Sequence, residues 1–345
     1  MEENTKKQLK EKAKAQTKKL RRVSGWKVGL LLFLALLLAA VLYILFSLNL
    51  IGRSTNDRID ASMEDFEMDQ LGDDAPETID PKNVSWGKVD PLADDGLLNI
   101  LLVGQDRRPG ESRQRSDSMI VVSMNPDTKE IAMVSFLRDL YVRIPGYSDN
   151  RMNAAYAFGG FELLKETLMA NFGVSVDACF EVDFDGFEAV IDSVGGVDVE
   201  LTEPEARIVG GGAYAGMNHL NGDQALNYAR IRVLDSDFGR TERQRNVLLS
   251  LFETARHRGL TDLLKLANAL LPQLTTDQTN TQIISLITQG YSILHDNANP
   301  IESYHVPADN AYYNATIRGM MVLVPNLDMI HGQLLTYFPL SDKGE

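Results

Sequence analysis

Clustered arginines carry the clearest chemical signal in this sequence. From Gly96 onward the chain has sixteen arginines and four lysines, whereas residues 1–27 have two arginines and eight lysines. Twelve of the arginines fall into three short segments: Arg107, Arg108, Arg113 and Arg115; Arg138, Arg143 and Arg151; Arg230, Arg232, Arg240, Arg243 and Arg245. Arginine presents a rigid fork that binds phosphate or carboxylate through two hydrogen bonds, whereas lysine is a mobile point charge. The clusters favour a focused anion site. Surface salt bridges with the abundant Asp and Glu residues are the alternative.

Aspartates accompany these arginines at the ends of predicted strands. Short apolar runs bounded by Gly, Asn and Pro predict strands over 97–103, 119–124 and 131–136. Asp106 and Arg108 follow the first strand. Asp117 precedes the second strand, and Arg138 follows the third. Loops at strand ends are where α/β sheets bind ligands, so these side chains would converge on one site if the strands are neighbours.

The third arginine cluster lies at the start of a helix predicted over 241–258. Arg240 and Gln244 share one face with the apolar stripe that continues along this helix, and Arg243 shares a face with Val247. Cations in the first turn of a helix oppose its dipole, which an anion bound there would compensate. The pattern favours an anion at this helix end, with an ordinary surface helix as the alternative.

The rest of the pattern mixes strands with helices. Further strands are predicted over 180–184 and 197–201 and near 303–306 and 321–324. Helical periodicity predicts helices over 153–172, 187–194, 220–229, 260–272, 279–292 and 327–338. The predicted fold class is therefore α/β: a central mixed β-sheet flanked by helices in αβα layers, preceded by a single transmembrane helix.

Several classes of protein are excluded by what the chain lacks. A single cysteine, Cys179, excludes an intrachain disulfide and a cysteine metal cage. The five histidines show no HExxH spacing, and the sequence has neither a Walker P-loop nor a G-x-S-x-G elbow. The formal net charge of −14 argues against nucleic acid as a partner of the main domain.

The amino-terminal region predicts a membrane anchor. Val28–Ile51 is a run of 24 residues without a charge, and about 20 apolar residues suffice to cross a bilayer. The run is longer than the apolar part of a cleaved signal peptide. Residues 1–27 carry ten basic and three acidic side chains, which predicts a cytoplasmic tail, a transmembrane helix over 28–51 and an extracellular remainder.

An acidic segment separates the predicted anchor from the main domain. Residues 52–95 contain thirteen acidic and four basic residues, with three prolines spaced among them. Few β-branched or aromatic residues occur there, so the composition predicts a solvated extracellular linker. The main extracellular domain is predicted over 96–345.

Eight sequence blocks, in order, resemble the LytR-CpsA-Psr family. They are GQDRR (104–108), RSDS (115–118), SFLRDLYVRIPG (135–146), RMNAAYAFGG (151–160), EVDFDGF (181–187), GGVDVEL (195–201), LNGDQALNYARIR (220–232) and DSDFGRTERQ (235–244). The blocks span roughly 98–258. The predicted single membrane helix, with its basic inner tail, also resembles the family. Gln105 departs from the family pattern, in which serine is common.

The resemblance implies a cofactor and a set of site residues. Asp106 and Asp117 match the two aspartates that hold Mg²⁺ in the family. The same two residues are also the only nearby candidates for a general base. The pyrophosphate-binding residues would be Arg108, Arg138, Arg151, Arg230, Arg232, Arg240 or Arg243, and Gln244. Among these, Arg138 and Arg230 are predicted to act in catalysis together with the two aspartates.

The implied reaction moves a phosphate-linked glycopolymer (wall teichoic acid, capsule or similar) from a polyprenyl-pyrophosphate carrier to peptidoglycan outside the cell membrane. Hydrolysis of the carrier pyrophosphate is one alternative, and a non-catalytic envelope regulator or attenuator is another.

The apolar segments 163–172 and 247–252 are candidates to shelter the polyprenyl tail, with ordinary core packing as the alternative for both.

Overall fold

The computed structural model describes residues 46, 48–63, 66, 68–92, 96–105, 113–259, 270–297 and 299–340. Residues 1–49 form one unit and residues 50–345 another. Outside the described residues lie the predicted basic tail, most of the predicted transmembrane helix, Asp106, Arg108 and most of the helix predicted over 260–272. Among the residues that are described, no helix has both the length and the hydropathy to cross a bilayer.

The second unit alternates strands and helices along the chain. The strands are β1 (Gly52–Arg53), β2 (Leu98–Gln105), β3 (Ser116–Met124), β4 (Ile131–Phe136), β5 (Tyr141–Val142), β6 (Asn150–Arg151), β7 (Ala178–Asp183), β8 (Val197–Leu201), β9 (Gly216–Leu220), β10 (Thr275–Thr276), β11 (Glu302–Val306), β12 (Tyr312–Ile317) and β13 (Met320–Pro325). The helices are α1 (Met152–Phe172), α2 (Phe184–Val194), α3 (Glu203–Val209), α4 (Gly222–Ala229), α5 (Asp237–Arg256), α6 (Asn280–Asp296) and α7 (Leu327–Tyr337).

Seven strands form one mixed sheet in the order β1-β10-β7-β2-β3-β4-β11. The central strand β2 runs parallel to β7 and antiparallel to β3. At one side β4 pairs parallel with β11, and at the other β1 pairs parallel with β10. The prediction of a central mixed sheet is therefore confirmed, and β2, β3 and β4, at whose ends the aspartates and arginines were predicted to converge, are neighbours.

Helices cover both faces of this sheet. Leu101 and Val103 of β2 point into a core that is closed by α1 and α7. The alternate residues Ile100 and Leu102 point to the opposite face, where α5 and α6 pack. This alternation follows from the two-residue period of a strand, and it confirms the predicted αβα layers.

A β-bulge lies where β2 ends and β3 begins. Gly104 pairs with Ser118, and Gln105 pairs with Ser116, so Asp117 has no opposite residue on β2. A bulge leaves its extra residue outside the ladder and changes the direction of its side chain, and bulges often occur beside functional sites. The end of the sheet that contains Gln105 and Asp117 is called the site end below.

The acidic segment predicted as a solvated linker packs against the domain where it is described. The Leu92 amide donates to the Gly173 carbonyl at 2.9 Å, and Val84 is buried in a cluster with β12 and β13. Asp69 pairs with the guanidinium group of Arg151. Composition did not predict these contacts, because they are made by a few side chains and backbone groups spaced along a polar segment.

The contact at Gly173 gives a test of this docking. Gly173 ends α1 in the left-handed conformation, with φ of 70°, and a Cβ there would overlap the backbone carbonyl of Asp90. Gly146 also has a positive φ of 84°, but a Cβ there would meet nothing. We expect Gly173→Ala to lower the free energy of unfolding by about 2–4 kcal/mol and Gly146→Ala by about 1 kcal/mol, as measured by urea denaturation. Equal losses would contradict the docking of the acidic segment at this position.

Candidate functional site

Three arginines meet at Asp117. Arg138 Nη1 donates to Asp117 Oδ1 at 2.8 Å, and Arg232 Nη2 donates to the same oxygen at 3.2 Å. Arg240 Nη2 donates to the backbone carbonyl of Asp117 at 3.3 Å. These arginines come from three separate places, after β4, after α4 and in the first turn of α5. The structure thus brings together four of the residues that the sequence predicted as a site.

The guanidinium group of Arg240 is almost completely buried, with 2% of the side chain exposed. Its Nη1 lies 3.0 Å from Asp237 Oδ1, but neither Nη1 nor Nε has a hydrogen-bond acceptor among the described residues. Burial is the main cause that lowers the pKa of Arg240, to about 10; the carboxylate of Asp237 opposes the shift, and the cations Arg138 and Arg232 contribute to it. Because buried charges are normally paired and hydrogen-bonded, the unused donors indicate a place for an anionic ligand.

Two further aspartates hold these arginines in place. Asp237 accepts from Arg138 Nε at 2.9 Å, and Asp139 lies 3.5 Å from the same nitrogen. Burial, followed by a hydrogen bond to Asp237, raises the pKa of Asp139 to about 6. Burial also disfavours the charge on Asp237, but the hydrogen bond from Asp139 and the charges of Arg240 and Arg138 lower the pKa of Asp237 overall. Asp139 is therefore the proton donor of this carboxyl pair.

The raised pKa of Asp139 predicts how stability depends on pH. The folded protein holds this proton more tightly than the unfolded chain, whose Asp pKa is about 4, so the stabilisation is complete below about pH 4 and is lost as pH rises through about 6. Asp139→Asn mimics the protonated form and removes this titration. Between pH 4 and 6.5 we expect wild type to lose on the order of 1–2 kcal/mol of unfolding free energy relative to the variant. Parallel stability curves in chemical denaturation would contradict the assignment.

An apolar cavity of about 250 Å³ begins beside Asp117. It extends over the α5 face of the sheet, across β2 and β7 towards the end of β10, under α2 and α4. The apolar side chains that line it are Leu102, Ile120, Phe180, Val182, Phe184, Phe187, Val190, Leu226, Ala229, Leu248, Leu251, Leu270 and Leu274. Two residues of the predicted tail-sheltering segment 247–252 thus line the cavity. The other predicted segment, 163–172, is the second half of α1 and packs instead into the core on the opposite face of the sheet.

Polar groups line the end of the cavity that adjoins Asp117. Arg230 lies there with its guanidinium carbon 4.2 Å from the centre of the Phe184 ring, a cation–π contact. Gln105 and Gln244 also line the cavity, and each has a buried side-chain oxygen without a hydrogen-bond partner among the described residues. Gln105 donates from its amide nitrogen to the Gln114 carbonyl at 2.6 Å. The site therefore joins an apolar cavity to a polar, arginine-rich mouth.

Two of the predicted arginines are engaged elsewhere. Arg243 donates from Nε to Glu205 at 2.8 Å, and Asp235 pairs with its Nη2. Burial opposes the charge on Arg243, but these two carboxylates outweigh it and raise its pKa. Arg151 is buried and donates to the Met321 carbonyl at 3.0 Å in addition to its pairing with Asp69. Of the alternatives Arg240 and Arg243, only Arg240 contacts Asp117 within the described residues.

Asp117 has the chemistry expected of a magnesium ligand. Both arginine hydrogen bonds go to Oδ1, and Oδ2 has no partner in the part of the chain that the structure describes. Nowhere in that part do three or more Asp, Glu, His or Cys side chains form a metal-binding group. Mg²⁺ is commonly held by one or two carboxylates together with substrate phosphates and water, and the exposed oxygen of Asp117 fits that kind of site.

Asp139 and Asp237 were not among the predicted site residues, although the pair Arg138–Asp139 was recognised at the end of a predicted strand. Both stand inside the blocks quoted above, in the pairs Arg138–Asp139 and Asp237–Phe238. In a chain with 48 acidic residues, the position of Asp139 directly after Arg138 was a weak signal, and Asp237 has no arginine beside it in the sequence. The extent of the cavity was also not predicted, because its lining comes from elements that are distant in sequence.

Comparisons with known proteins show the family to which the chain belongs. The sequence model of the LytR_cpsA_psr family matches residues 62–334. Regulatory protein MsrR of Staphylococcus aureus (strain COL) is 35% identical over 226 residues, 64% of this chain and 68% of MsrR.

A relative from Oceanobacillus iheyensis is the polyisoprenyl-teichoic acid–peptidoglycan teichoic acid transferase TagU. It is 31% identical over 297 residues, which cover 83% of this chain and 87% of TagU. Among solved structures, TagV of B. subtilis superimposes with a TM-score of 0.58 at 28% identity, over 72% of this chain and 99% of TagV. The chain belongs to the LytR-CpsA-Psr family.

Proposed function

We propose that this protein is a Mg²⁺-dependent phosphotransferase that moves a phosphate-linked glycopolymer from a polyprenyl-pyrophosphate carrier to peptidoglycan on the outer face of the cell membrane. The observation that carries the proposal is the junction of an apolar cavity with an arginine-rich mouth at Asp117. A ligand that fills both parts has a long apolar body and an anionic head. Polyprenyl pyrophosphate has this construction.

The mouth carries a surplus of positive charge for the pyrophosphate. Four guanidinium groups face three carboxylates there, which leaves an excess of one positive charge even when all three carboxylates are ionised. The guanidinium groups belong to Arg138, Arg230, Arg232 and Arg240, and the carboxylates to Asp117, Asp139 and Asp237. The unused donors of Arg240 and the unpaired polar atoms of Gln105 and Gln244 add hydrogen-bonding capacity. Preorganised donors of this kind stabilise charge as it develops in a transition state.

The proposed reaction is a displacement at phosphorus. A peptidoglycan hydroxyl oxygen attacks the phosphorus that is bonded to the sugar, and the bond from that phosphorus to the bridging oxygen breaks. Polyprenyl monophosphate leaves with the bridging oxygen, and the polymer phosphate becomes esterified to peptidoglycan. The hydroxyl proton passes to a carboxylate, for which Asp106 and Asp117 are the candidates. Positioning and charge neutralisation carry most of the catalysis of such a step.

Asp117 and Asp106 would hold the magnesium ion. When bound, Mg²⁺ neutralises charge on the pyrophosphate oxygens. The residues of the chain have separate tasks. The arginine cluster binds and orients the pyrophosphate, and the half-buried carboxyl pair Asp139–Asp237 fixes the directions of Arg138 and Arg240.

The named relatives support this substrate class and also an alternative. TagU is named as a transferase of teichoic acid to peptidoglycan, which supports teichoic acid or a related wall polymer as the cargo. MsrR is named as a regulatory protein, which supports a non-catalytic regulator as the second candidate. Hydrolysis of the carrier differs from transfer only in using water as the acceptor.

Loss of the Asp117 carboxylate tests the proposed chemistry. In an assay with a polyprenyl-pyrophosphate sugar, we expect Asp117→Ala to release polyprenyl monophosphate about 10²–10³ times more slowly than wild type. Chelation of Mg²⁺ should produce a similar loss in wild type and little further loss in the variant. Asp198→Ala, on an exposed position of β8, is the control and should retain wild-type release. Wild-type release by Asp117→Ala would overturn the assignment of this residue.

A further inference from the structure

The direction in which β1 enters the sheet shows where the preceding chain leaves it. Through β10 and β7, Gly52 stands level with Val103 of β2, and Arg53 stands level with Leu102. The chain therefore runs away from Gln105 as it passes along β1. Leu50 and Ile51 enter β1 from the site end, where β2 ends and β3 begins.

No linker residues separate the apolar run from the first strand of the sheet. The uncharged run Val28–Ile51 ends immediately before β1, and the Gly52 amide donates to the Leu274 carbonyl at 3.0 Å. Ile51 is itself buried in the domain. About 20 residues suffice to cross a bilayer, so the run can span it and still deliver its last residues to the sheet.

Apolar side chains are exposed at the same end. Arg232 donates to Asp117, and the next two residues along the chain are Val233, which is 84% exposed, and Leu234, which is 40% exposed. A single exposed apolar residue needs no explanation. Here, however, two adjacent ones project beside Arg230 and Arg232. Apolar side chains flanked by cations are typical of surfaces that lie at the headgroup level of a bilayer.

We propose that the site end of the domain rests on the outer surface of the lipid bilayer, with the Val233–Leu234 loop inserted at headgroup level. The pyrophosphate of a lipid donor would then reach the arginines without being lifted far from the membrane. The prenyl tail would pass from the bilayer into the apolar cavity. This inference depends on the proposed membrane anchor and lipid donor.

Fluorescence quenching in nanodiscs tests this orientation without requiring activity. Cys179 is completely buried, and burial raises the pKa of its thiol, so an added surface cysteine can be labelled selectively. The full-length chain would carry a fluorophore either at Val233→Cys or at Asp127→Cys, in the turn between β3 and β4 at the opposite end of the sheet. Eight residues of β2 separate the two ends by about 25 Å.

We expect headgroup spin-labelled phospholipid to quench the label at position 233 strongly and the label at 127 hardly at all. Equal quenching, stronger quenching at 127 or no quenching at either position would overturn the proposed orientation. A chain that does not elute with the discs would overturn the anchor on which it rests. Release of polyprenyl monophosphate by the same protein in detergent reports separately on the proposed function.

A matched pair of variants tests the loop itself. Val233→Ser with Leu234→Ser should raise the KM for a donor embedded in nanodiscs about fivefold and leave turnover of a detergent-dispersed donor unchanged. The control variant, Met329→Ser with Leu335→Ser, removes two comparably exposed apolar side chains from α7 and should change neither value. An equal effect in discs and in detergent would contradict insertion of the loop.

Discussion

Replacing Arg138 with alanine is expected to slow glycopolymer transfer by about 10²–10³-fold, because the variant loses a guanidinium group held beside the reacting phosphate. Arg138 joins Asp117 to the Asp139–Asp237 pair, so its loss also disturbs the arrangement of Arg240. Arg138→Lys retains the charge but not the fork, and we expect it to recover only part of the rate. The measurement is single-turnover release of polyprenyl monophosphate with saturating donor.

Arg143 provides the control for this prediction. It lies in the same arginine cluster of the sequence, but it donates to the Ala170 carbonyl at 3.1 Å and stacks over Trp86, away from Asp117. Arg143→Ala should therefore lower stability and leave the rate per folded molecule unchanged. A wild-type rate in Arg138→Ala, or equal rate losses in the two variants at matched folded fractions, would contradict the proposed role.

Filling the cavity is expected to select against long lipid donors. Val190 is half-buried on α2 and lines the cavity, so Val190→Phe would occupy part of its volume of about 250 Å³. We expect the kcat/KM for a donor with a long polyprenyl chain to fall by at least tenfold, because the tail loses apolar contact area. A donor with a two-isoprene chain should be affected much less.

The neighbouring residue supplies the control for the cavity variant. Ala189→Phe introduces the same side chain on the same helix, at a position outside the cavity lining. It should leave the preference for long donors unchanged. If both phenylalanine variants discriminate equally between long and short donors, or if neither does, the cavity is not the site of the prenyl tail.

Five of the seven strands of the main sheet and the larger helices could be predicted because their signals are local; the two-residue strands β1 and β10 were not predicted. The prediction for β4 matched Ile131–Phe136, and that for β8 matched Val197–Leu201. The hairpin partner β9 and the strand β12 were missed, because sequences such as Gly216–Leu220 lack a continuous apolar run. Helix α3 was also missed, although Thr202 and Glu205 form a capping box that is visible in the sequence.

The site was predictable only as a set of candidates. Arg240 and Arg243 both fitted a binding role, since each shares a helix face with buried residues. The structure separates them, because Glu205 and Asp235 engage Arg243 whereas Arg240 reaches Asp117. Such a distinction depends on where distant acidic residues fall in three dimensions, which spacing along one helix does not contain.

The position of the phosphate after the reaction tests the central claim most directly. A polyprenyl-pyrophosphate glycopolymer with radioactive phosphorus only at the sugar-proximal phosphate would be incubated with the full-length protein, Mg²⁺ and peptidoglycan. Phosphotransfer predicts label covalently bound to peptidoglycan and unlabelled polyprenyl monophosphate, both lost in Asp117→Ala. Label that remains on the lipid, or that is released only as soluble sugar phosphate, would contradict transfer of a phosphate-linked polymer to peptidoglycan.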